Sequence, residues 1–484
     1  MTRTLAFTAA TIDVASRPVM FAQPGIVALI FTIYVRPQEI HPDLQRLPLL
    51  YMFFALAIFG LAVDLRLRVN KFSATPQLPY AILLFLWSAV ATGLNAPDAV
   101  LRTQLEFAVP VTLYVVMAHS VHTFRALQIV TGTVLALTIL LGAVAAQQGV
   151  APFGCVRVDP ERTGDITIGE PDGRSCRPLE DLDCYLRGEP EPGADYICEH
   201  VGMLGTTSVA GRVRYRGVLQ DPNELALALG IGLPLAFAFA SRRRTAARVL
   251  MAIATFLLVA IAVHFTQSRG GQLVIAAVIG VYALYRWRWK AAIVVAVLSP
   301  IVLFLAMGGG DSGRVDAAAS TEERYEAWAT GIQMFRDSPL FGVGNGQFVE
   351  HHYLTAHNSY VLALAELGLV GMFLWGAVLY LTVKIPLVAL IRYHGREEAA
   401  VARAWALGLL SALGGLLVGI FFLSFSWHLV FWAYVGLSGA FYSAVRTHDP
   451  DFSVKMTLRD WGLVAAISGT LVFVLFTYLR LRGY

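Results

Sequence analysis

Apolar residues recur along most of this chain in blocks of membrane-crossing length, each bounded by short polar or basic turns. A helix needs about 20 apolar residues to span the hydrocarbon core. Blocks of that kind lie at roughly 20–35, 48–63, 79–94, 104–119, 126–146, 222–240, 248–266, 271–286, 290–307, 358–381, 402–423, 427–445 and 460–478. They predict an all-α, polytopic membrane protein with about 12 or 13 transmembrane helices. The first two blocks are short, so those helices are expected to be tilted, half-spanning or paired as a hairpin. Two long polar stretches, 147–215 and 308–356, interrupt the pattern and divide the chain into five segments: 1–146, 147–215, 216–307, 308–356 and 357–484.

Composition agrees with the pattern. Of 484 residues, 57% are hydrophobic and only 14% are charged, with a mean hydropathy of +0.62. Soluble proteins carry about 25% charged residues, so a large soluble enzyme, a disordered chain and a small disulfide scaffold are excluded. The net charge of +4 says less than where the basic residues fall. Arg66, Arg68 and Lys71, then Arg242, Arg243, Arg244 and Arg248, then Arg286, Arg288 and Lys290, and finally Arg392, Arg396 and Arg403 mark four turns on one side. The positive-inside rule makes that side cytoplasmic. Arg3 and Arg17 place the N-terminus there too, and both long loops then face outward. With 13 spans Arg480 and Arg482 end outside; with 12 both ends lie inside. The N-terminus lacks a small-residue cleavage site, so no removed signal peptide is expected. No basic block is long enough to indicate nucleic acid.

All four cysteines, Cys155, Cys176, Cys184 and Cys198, fall in the first long loop. An oxidising compartment favours two disulfides there, with three possible connectivities. Free thiols and a zinc site are the alternatives, the latter disfavoured because no C-x2-C pair is present. This loop is acidic from Asp159 to Glu199 and rich in Pro and Gly, and so reads as a stapled, mostly irregular cap. Its Asp181-Leu182-Asp183 pair is a weak divalent-cation pattern. The second long loop opens on Gly308 to Gly310 and carries a predicted helix from Thr321 to Phe335, with Thr321 as its N-cap.

The unusual polar residues sit at the outer ends of spans rather than at mid-depth. After the acidic loop the charge reverses at Arg212, Arg214 and Arg216. Pro222 suits a first helical turn and Asp221 an N-cap, so a helix is expected to start beside Arg216. Such a start with an arginine fork suits phosphate oxygens, though on spacing alone a capped helix with a snorkelling arginine is the simpler reading. Arg269, in Thr266-Gln-Ser-Arg-Gly-Gly271, occupies an outer turn where positive-inside bias disfavours arginine. His357 enters the following span in Ala356-His-Asn-Ser-Tyr360. It is either a general base or a hydrogen-bonded structural group. Gly342-Val-Gly-Asn-Gly346 lacks a strand–helix frame and reads as a tight turn. Glu106 and Glu366 are mid-span carboxyls without a partner in the sequence.

Taken in order, the segments Arg216–Ala226, Gln267–Gly271, Arg324–Trp328 with Asp337–Gly344, and Ala356–Tyr360 with Glu366–Gly371 resemble the bacterial O-antigen ligase and polymerase family of membrane glycosyltransferases over roughly residues 205–440. The resemblance implies a GT-C-type membrane enzyme in the bacterial inner membrane, with its active site facing the periplasm. Such an enzyme moves a glycan from an undecaprenyl diphosphate carrier to a hydroxyl acceptor such as lipid A-core, with inversion. A polymerase of the same family, or less directly a glycolipid transporter, is the alternative. Carried over by motif, Arg216 and Arg269 bind the donor diphosphate and His357 acts on the acceptor hydroxyl. Arg324, Asp221, Asn223 and Asn358 are the further substrate contacts. No cofactor and no metal are implied. The four-cysteine loop lies outside the family pattern.

Overall fold

The computed structural model describes residues 20–70, 73–158, 169–186, 194–242, 245–288, 290 and 311–484. The expected span 290–307 beyond Lys290, Gly308 to Gly310, Arg3, Arg17, Lys71, Asp159, Arg243 and Arg244 lie outside these residues. The helices are α1 (Ala22–Val35), α2 (Leu49–Arg66), α3 (Leu78–Asn95), α4 (Val100–Ser120), α5 (Phe124–Gly149), the short α6 (Asp181–Leu186), α7 (Pro222–Arg242), α8 (Ala246–Phe265), α9 (Arg269–Trp287), α10 (Asp311–Asp337), α11 (Ser359–Arg392), α12 (Ala400–Gly419), α13 (Leu429–His448) and α14 (Leu458–Arg482). Among the described residues ten of these are long and apolar enough to cross a membrane: α2 to α5, α7 to α9, α11, α12 and α14. The chain is an all-α polytopic membrane protein. Helix α1, with 14 residues, is shorter. It forms a hairpin with α2, in which Gly25 and Gly60 lie against the backbones of Ala57 and Ala22. Asp64, fully buried, accepts the Phe21 and Ala22 amides at 2.9 and 3.1 Å. It thereby satisfies donors that a helix start leaves open.

Small residues bring the central helices together, as lipid-embedded packing requires. Gly415 and Gly419 of α12 face Val278 and Val274 of α9, and Gly436 and Gly439 of α13 face Met117 and Ala118 of α4. Helix α14 stands apart at the edge. Its C-terminal end meets α10, where Tyr478 and Tyr325 hydroxyls lie 2.7 Å apart and Tyr484 bonds to Glu322. That end therefore lies beside the second long loop.

The cap differs from the irregular segment expected. It holds a three-stranded antiparallel sheet in the order β2-β1-β3, formed by β1 (Phe153–Val158), β2 (Gly169–Ser175) and β3 (Asp195–His200). Strand β2, Gly-Glu-Pro-Asp-Gly-Arg-Ser, has no apolar residue, so no alternation announced it; backbone pairing to β1 holds it in place. The disulfides are Cys155–Cys184 and Cys176–Cys198. The Sγ atoms of Cys155, Cys176 and Cys184 cluster within 4.8 Å because the two bridges are neighbours. The Asp181 carboxylate accepts the Cys198 amide at 2.7 Å and Asp183 that of Arg177 at 3.0 Å, so both acids tie the cap together.

Helix α10 corrects a second expectation. It is already helical at Asp311, the first described residue of this segment, rather than starting at Thr321, and the strong helix formers Ala317 to Ala319 support those turns. Thr321 thus lies inside the helix and not at its start.

Helix α11 breaks at Gly368, where φ is +62°. The break frees carbonyls that membrane depth would leave unpaired. The glycine turn of the second loop takes them up: Val343 N–H donates to the Ala365 carbonyl at 2.9 Å and Gly344 N–H to that of Glu366 at 2.8 Å. Trp87 Nε1 donates to the Leu367 carbonyl at 3.0 Å. The Glu366 carboxylate accepts Trp427 Nε1 at 2.8 Å and the Phe348 amide at 3.3 Å. Glu106, the other mid-span acid, pairs with Arg102 at 3.0 Å. A Cβ at Gly342 or Gly368 would sit 2.4 Å from backbone atoms of the opposite segment. Gly342→Ala and Gly368→Ala are each expected to lower stability by about 1–3 kcal/mol through strain and lost docking. Gly462→Ala, in open space on α14, should be neutral or stabilise by about 0.5–1 kcal/mol. Thermal unfolding in detergent reads the contrast.

Candidate functional site

The segment before α7 runs extended across the end of α8, with Val213 N–H donating to the Phe265 carbonyl at 3.1 Å. This places Arg212 over the α8–α9 turn, where its Nε donates to the Thr266 carbonyl at 3.0 Å and its Nη2 to Asn223 Oδ1 at 3.2 Å. Asp221 caps the start of α7 as expected, accepting the Asn223 amide at 2.5 Å. The turn itself is closed by Ser268, whose hydroxyl accepts the Gly271 amide at 3.0 Å, and Arg269 is the first residue of α9. A Cβ on Gly271 would lie 2.4 Å from that of Ala226, so the N-termini of α7 and α9 are pressed together. Two helix N-termini and two arginines therefore share one corner, and both features favour an anion.

The second loop supplies the third arginine. Arg324 of α10 is half-buried, and burial pushes its guanidinium below the usual arginine range. Asp221 opposes that shift, while Arg212 and Arg269 add to it. Arg212 is likewise pushed down by burial and by Arg269, and pulled up by Asp221. Arg212, Arg269 and Arg324 thus lie within electrostatic reach of one another and of Asp221, in a partly desolvated setting where like charges repel most strongly. An added anion relieves that repulsion.

Arg324 also heads a groove of about 810 Å³ between α10, α14 and the turn after α12. Trp328, Phe421, Phe422, Leu471 and Val474 line its walls, and Arg324 is its charged residue among those described. Phe422 packs against Gly270, next to Arg269, so the groove abuts the arginine corner. Tyr325 and Tyr478 bridge it from the two helices.

His357 lies one residue beyond the carbonyl of Ala356, which Trp328 Nε1 holds at 2.9 Å. Its φ of +43° is in the left-handed region. A residue with a Cβ stays there, at a cost of about 1–3 kcal/mol, only where its surroundings fix it. The Trp328 bond fixes one side. Asn358 fixes the other, its Oδ1 accepting the Tyr360 and Val361 amides at 2.9 and 3.2 Å as the cap of α11. The buried Asn358 Nδ2 has no partner among the described residues. His428, nearby in sequence to the α13 start, is committed differently. Nδ1 accepts the Val430 amide, Nε2 donates to the Val218 carbonyl, and burial pushes the ring down to about 4.

Arg216 does not join this group. Its Nη1 donates to the Glu39 carbonyl at 2.7 Å and its Nη2 to those of Leu204 and Gly205 at 2.8 and 2.6 Å. It lines a different cavity and ties the cap to the turn after α1. Arg212, in contrast, was legible only as one member of the Arg212, Arg214, Arg216 run. In an extended segment such alternation gives no hint which guanidinium turns to which neighbour.

Residues 254–376 match the family model described as O-Antigen ligase. The chain is thus a polytopic membrane protein in which residues 254–376 carry the match to the O-antigen ligase family, a family of glycosyltransferase and ligase type. Arg269, Arg324, His357 and Asn358 fall inside the matched stretch, while Arg212, Arg216, Asp221 and Asn223 precede it. A comparison with curated proteins finds no match. Among solved structures the chain is similar to one from "Structural coordination of polymerization and crosslinking by a peptidoglycan synthase complex", at 16% identity and a TM-score of 0.41, over 78% of this chain and 98% of that one.

The geometry predicts opposite outcomes for two arginines. Arg324→Ala should weaken binding of inorganic diphosphate about tenfold or more, since a charge-assisted bond contributes about 1.5–3 kcal/mol. Arg216→Ala should leave that affinity within about twofold and instead lower the melting temperature, because three carbonyls lose their donor. Calorimetric titration with diphosphate and thermal unfolding of each variant measure both.

Proposed function

We propose that this enzyme transfers a glycan from a polyprenyl diphosphate carrier, undecaprenyl diphosphate in bacteria, to a hydroxyl acceptor of the lipid A-core type. The reaction takes place at the periplasmic face of the inner membrane. The observation that carries this reading is the junction of the arginine corner with the apolar groove headed by Arg324. A ligand that fits both must have an anionic head and a long apolar tail, which describes a lipid diphosphate.

Arg212, Arg269 and Arg324 hold the diphosphate oxygens, and arginine forks suit them better than lysines would. His357, fixed between Trp328 and Asn358, takes the proton of the acceptor hydroxyl. The acceptor oxygen attacks the anomeric carbon from the face opposite the diphosphate. The carbon–oxygen bond to phosphate then breaks, and the anomeric configuration inverts. The guanidinium groups stabilise the charge gathering on the leaving diphosphate, the part a divalent ion plays in other glycosyl transfers. Asn223 and Asp221 position Arg212, and Asn358 positions His357. Arg216 takes a supporting role here, through the cap, in place of the direct donor contact expected from its motif.

The test is reconstitution in vesicles with a carrier-linked glycan and a lipid A-core acceptor. Glycan should appear on the acceptor. Extension of the carrier-linked glycan instead would assign the chain to polymerisation. Carrier binding with translocation and no transfer would overturn the enzyme reading. His357→Gly should reduce transfer by about 10²–10⁴-fold. Its melting temperature should be unchanged or higher, because glycine enters the left-handed region freely. Near-normal turnover in that variant would exclude the base role.

A further inference from the structure

A second cavity, of about 990 Å³, lies between the disulfide-bonded cap and the turn that follows α1. We infer that it binds an uncharged, hydroxyl-rich oligosaccharide segment, the glycan portion of one of the two substrates. The inference rests on the glycosyl-transfer reading and adds the place where sugar is held.

The walls mix apolar faces, from Ile40, Pro171, Leu204 and Tyr215, with a ring of amides, hydroxyls and carboxylates, as a sugar's own alternating faces require. Gln38 and Gln45 come from the turn after α1, Glu170 from β2, Thr206 from the cap's return, and Gln220 from the approach to α7. The cations in the wall are already committed. Arg214 Nε donates to the Thr207 carbonyl at 3.0 Å, and Arg216 donates to three carbonyls. The two guanidinium charges balance the carboxylates of Glu39 and Glu170, so the lining favours neither an anion nor a cation, and a wholly apolar ligand would strand the amides. Sugar hydroxyls, each donor and acceptor, suit amides and carboxylates alike. Gln38 Oε1 and Arg216 Nε, on two lining residues, are buried without a protein partner among the described residues. Buried polar atoms of that kind are ordinarily paired. The volume is at the upper end of ligand cavities, about 300–1,000 Å³, and admits more than one sugar ring.

The position connects the two sites. Gln220 lines this cavity, and the next residue, Asp221, belongs to the arginine corner. The segment from Arg212 to Asn223 contributes residues to both, so a glycan reacting at the corner would follow this segment to reach the cavity. The cap, which precedes the matched stretch 254–376, would then select the sugar.

Saturation-transfer NMR on the full-length protein in nanodiscs tests this. The probes are two free oligosaccharides without lipid or phosphate, one released from lipid A-core and one from the carrier-linked glycan. At least one should bind, and which of the two binds identifies the substrate held. The double substitution Gln45→Trp, Glu170→Trp, which fills the cavity, should weaken that binding at least tenfold while inorganic diphosphate affinity stays within twofold, the latter reporting an intact fold. Gln45→Ala should weaken it several-fold without added bulk. Binding of neither oligosaccharide, or binding that both variants leave unchanged, overturns the inference. Transfer in the reconstituted system with an empty cavity would sink this inference alone. Oligosaccharide binding lost on filling, in a protein that transfers nothing, would support the site and overturn the transfer reading.

Discussion

Positive charge held away from water is the constraint around which this structure is arranged. Arg212, Arg269 and Arg324 lie within electrostatic reach of Asp221 at the N-terminal ends of α7 and α9, beside an apolar groove. Their mutual repulsion would scatter them if they were free to move. Each is carried by an element that cannot give way. Arg212 is bonded to the Thr266 carbonyl and to Asn223, Arg269 opens a helix capped by Ser268, and Arg324 lies on the face of α10 that Trp328 anchors. Preorganised charge of this kind stabilises an anion without further reorganisation, which is why it serves both binding and catalysis.

The same anchoring sets the histidine. Trp328 holds the carbonyl before His357, and Asn358 caps the helix after it, so the strained backbone between them has little choice. One indole therefore couples the loop helix that carries Arg324 to the turn that carries the base. Farther along, the broken helix α11 and the glycine turn Gly342 to Gly344 satisfy each other's backbone groups. That pairing fixes the second long loop to the membrane helices and so fixes where α10 can sit. The glycine-rich stretch and the Glu366 to Gly371 segment, two separate signals in sequence, are one structural joint.

The legible parts of the chain were those whose physics is local. Spans at α3 to α5, α7 to α9, α11, α12 and α14 follow from apolar length, and the start of α7 from Pro222 and Asp221. The α1–α2 hairpin was one of the arrangements their short apolar blocks allowed. The cap's sheet was not legible, because β2 carries no apolar alternation and depends on pairing with β1. The early start of α10 was masked by the acidic turn at Glu322 and Glu323, which imitates a helix start. Within the candidate site, Arg269, Arg324 and His357 stood out as outward-facing exceptions to a charge-poor composition. Arg212 and Arg216 have nearly the same sequence surroundings, and their opposite placements follow from long-range partners: Thr266 and Asn223 for one, Glu39, Leu204 and Gly205 for the other.

Sequence alone determined that this is a membrane-spanning helical protein with a cysteine-bearing cap, because hydrophobic length and cysteine placement act residue by residue. The tertiary structure decided the disulfide pairing, what the end of α14 packs against, and which arginines converge. Each of those outcomes depends on groups far apart in the chain meeting at hydrogen-bonding distance, and no spacing along a sequence encodes which distant carbonyl or carboxylate a guanidinium will find.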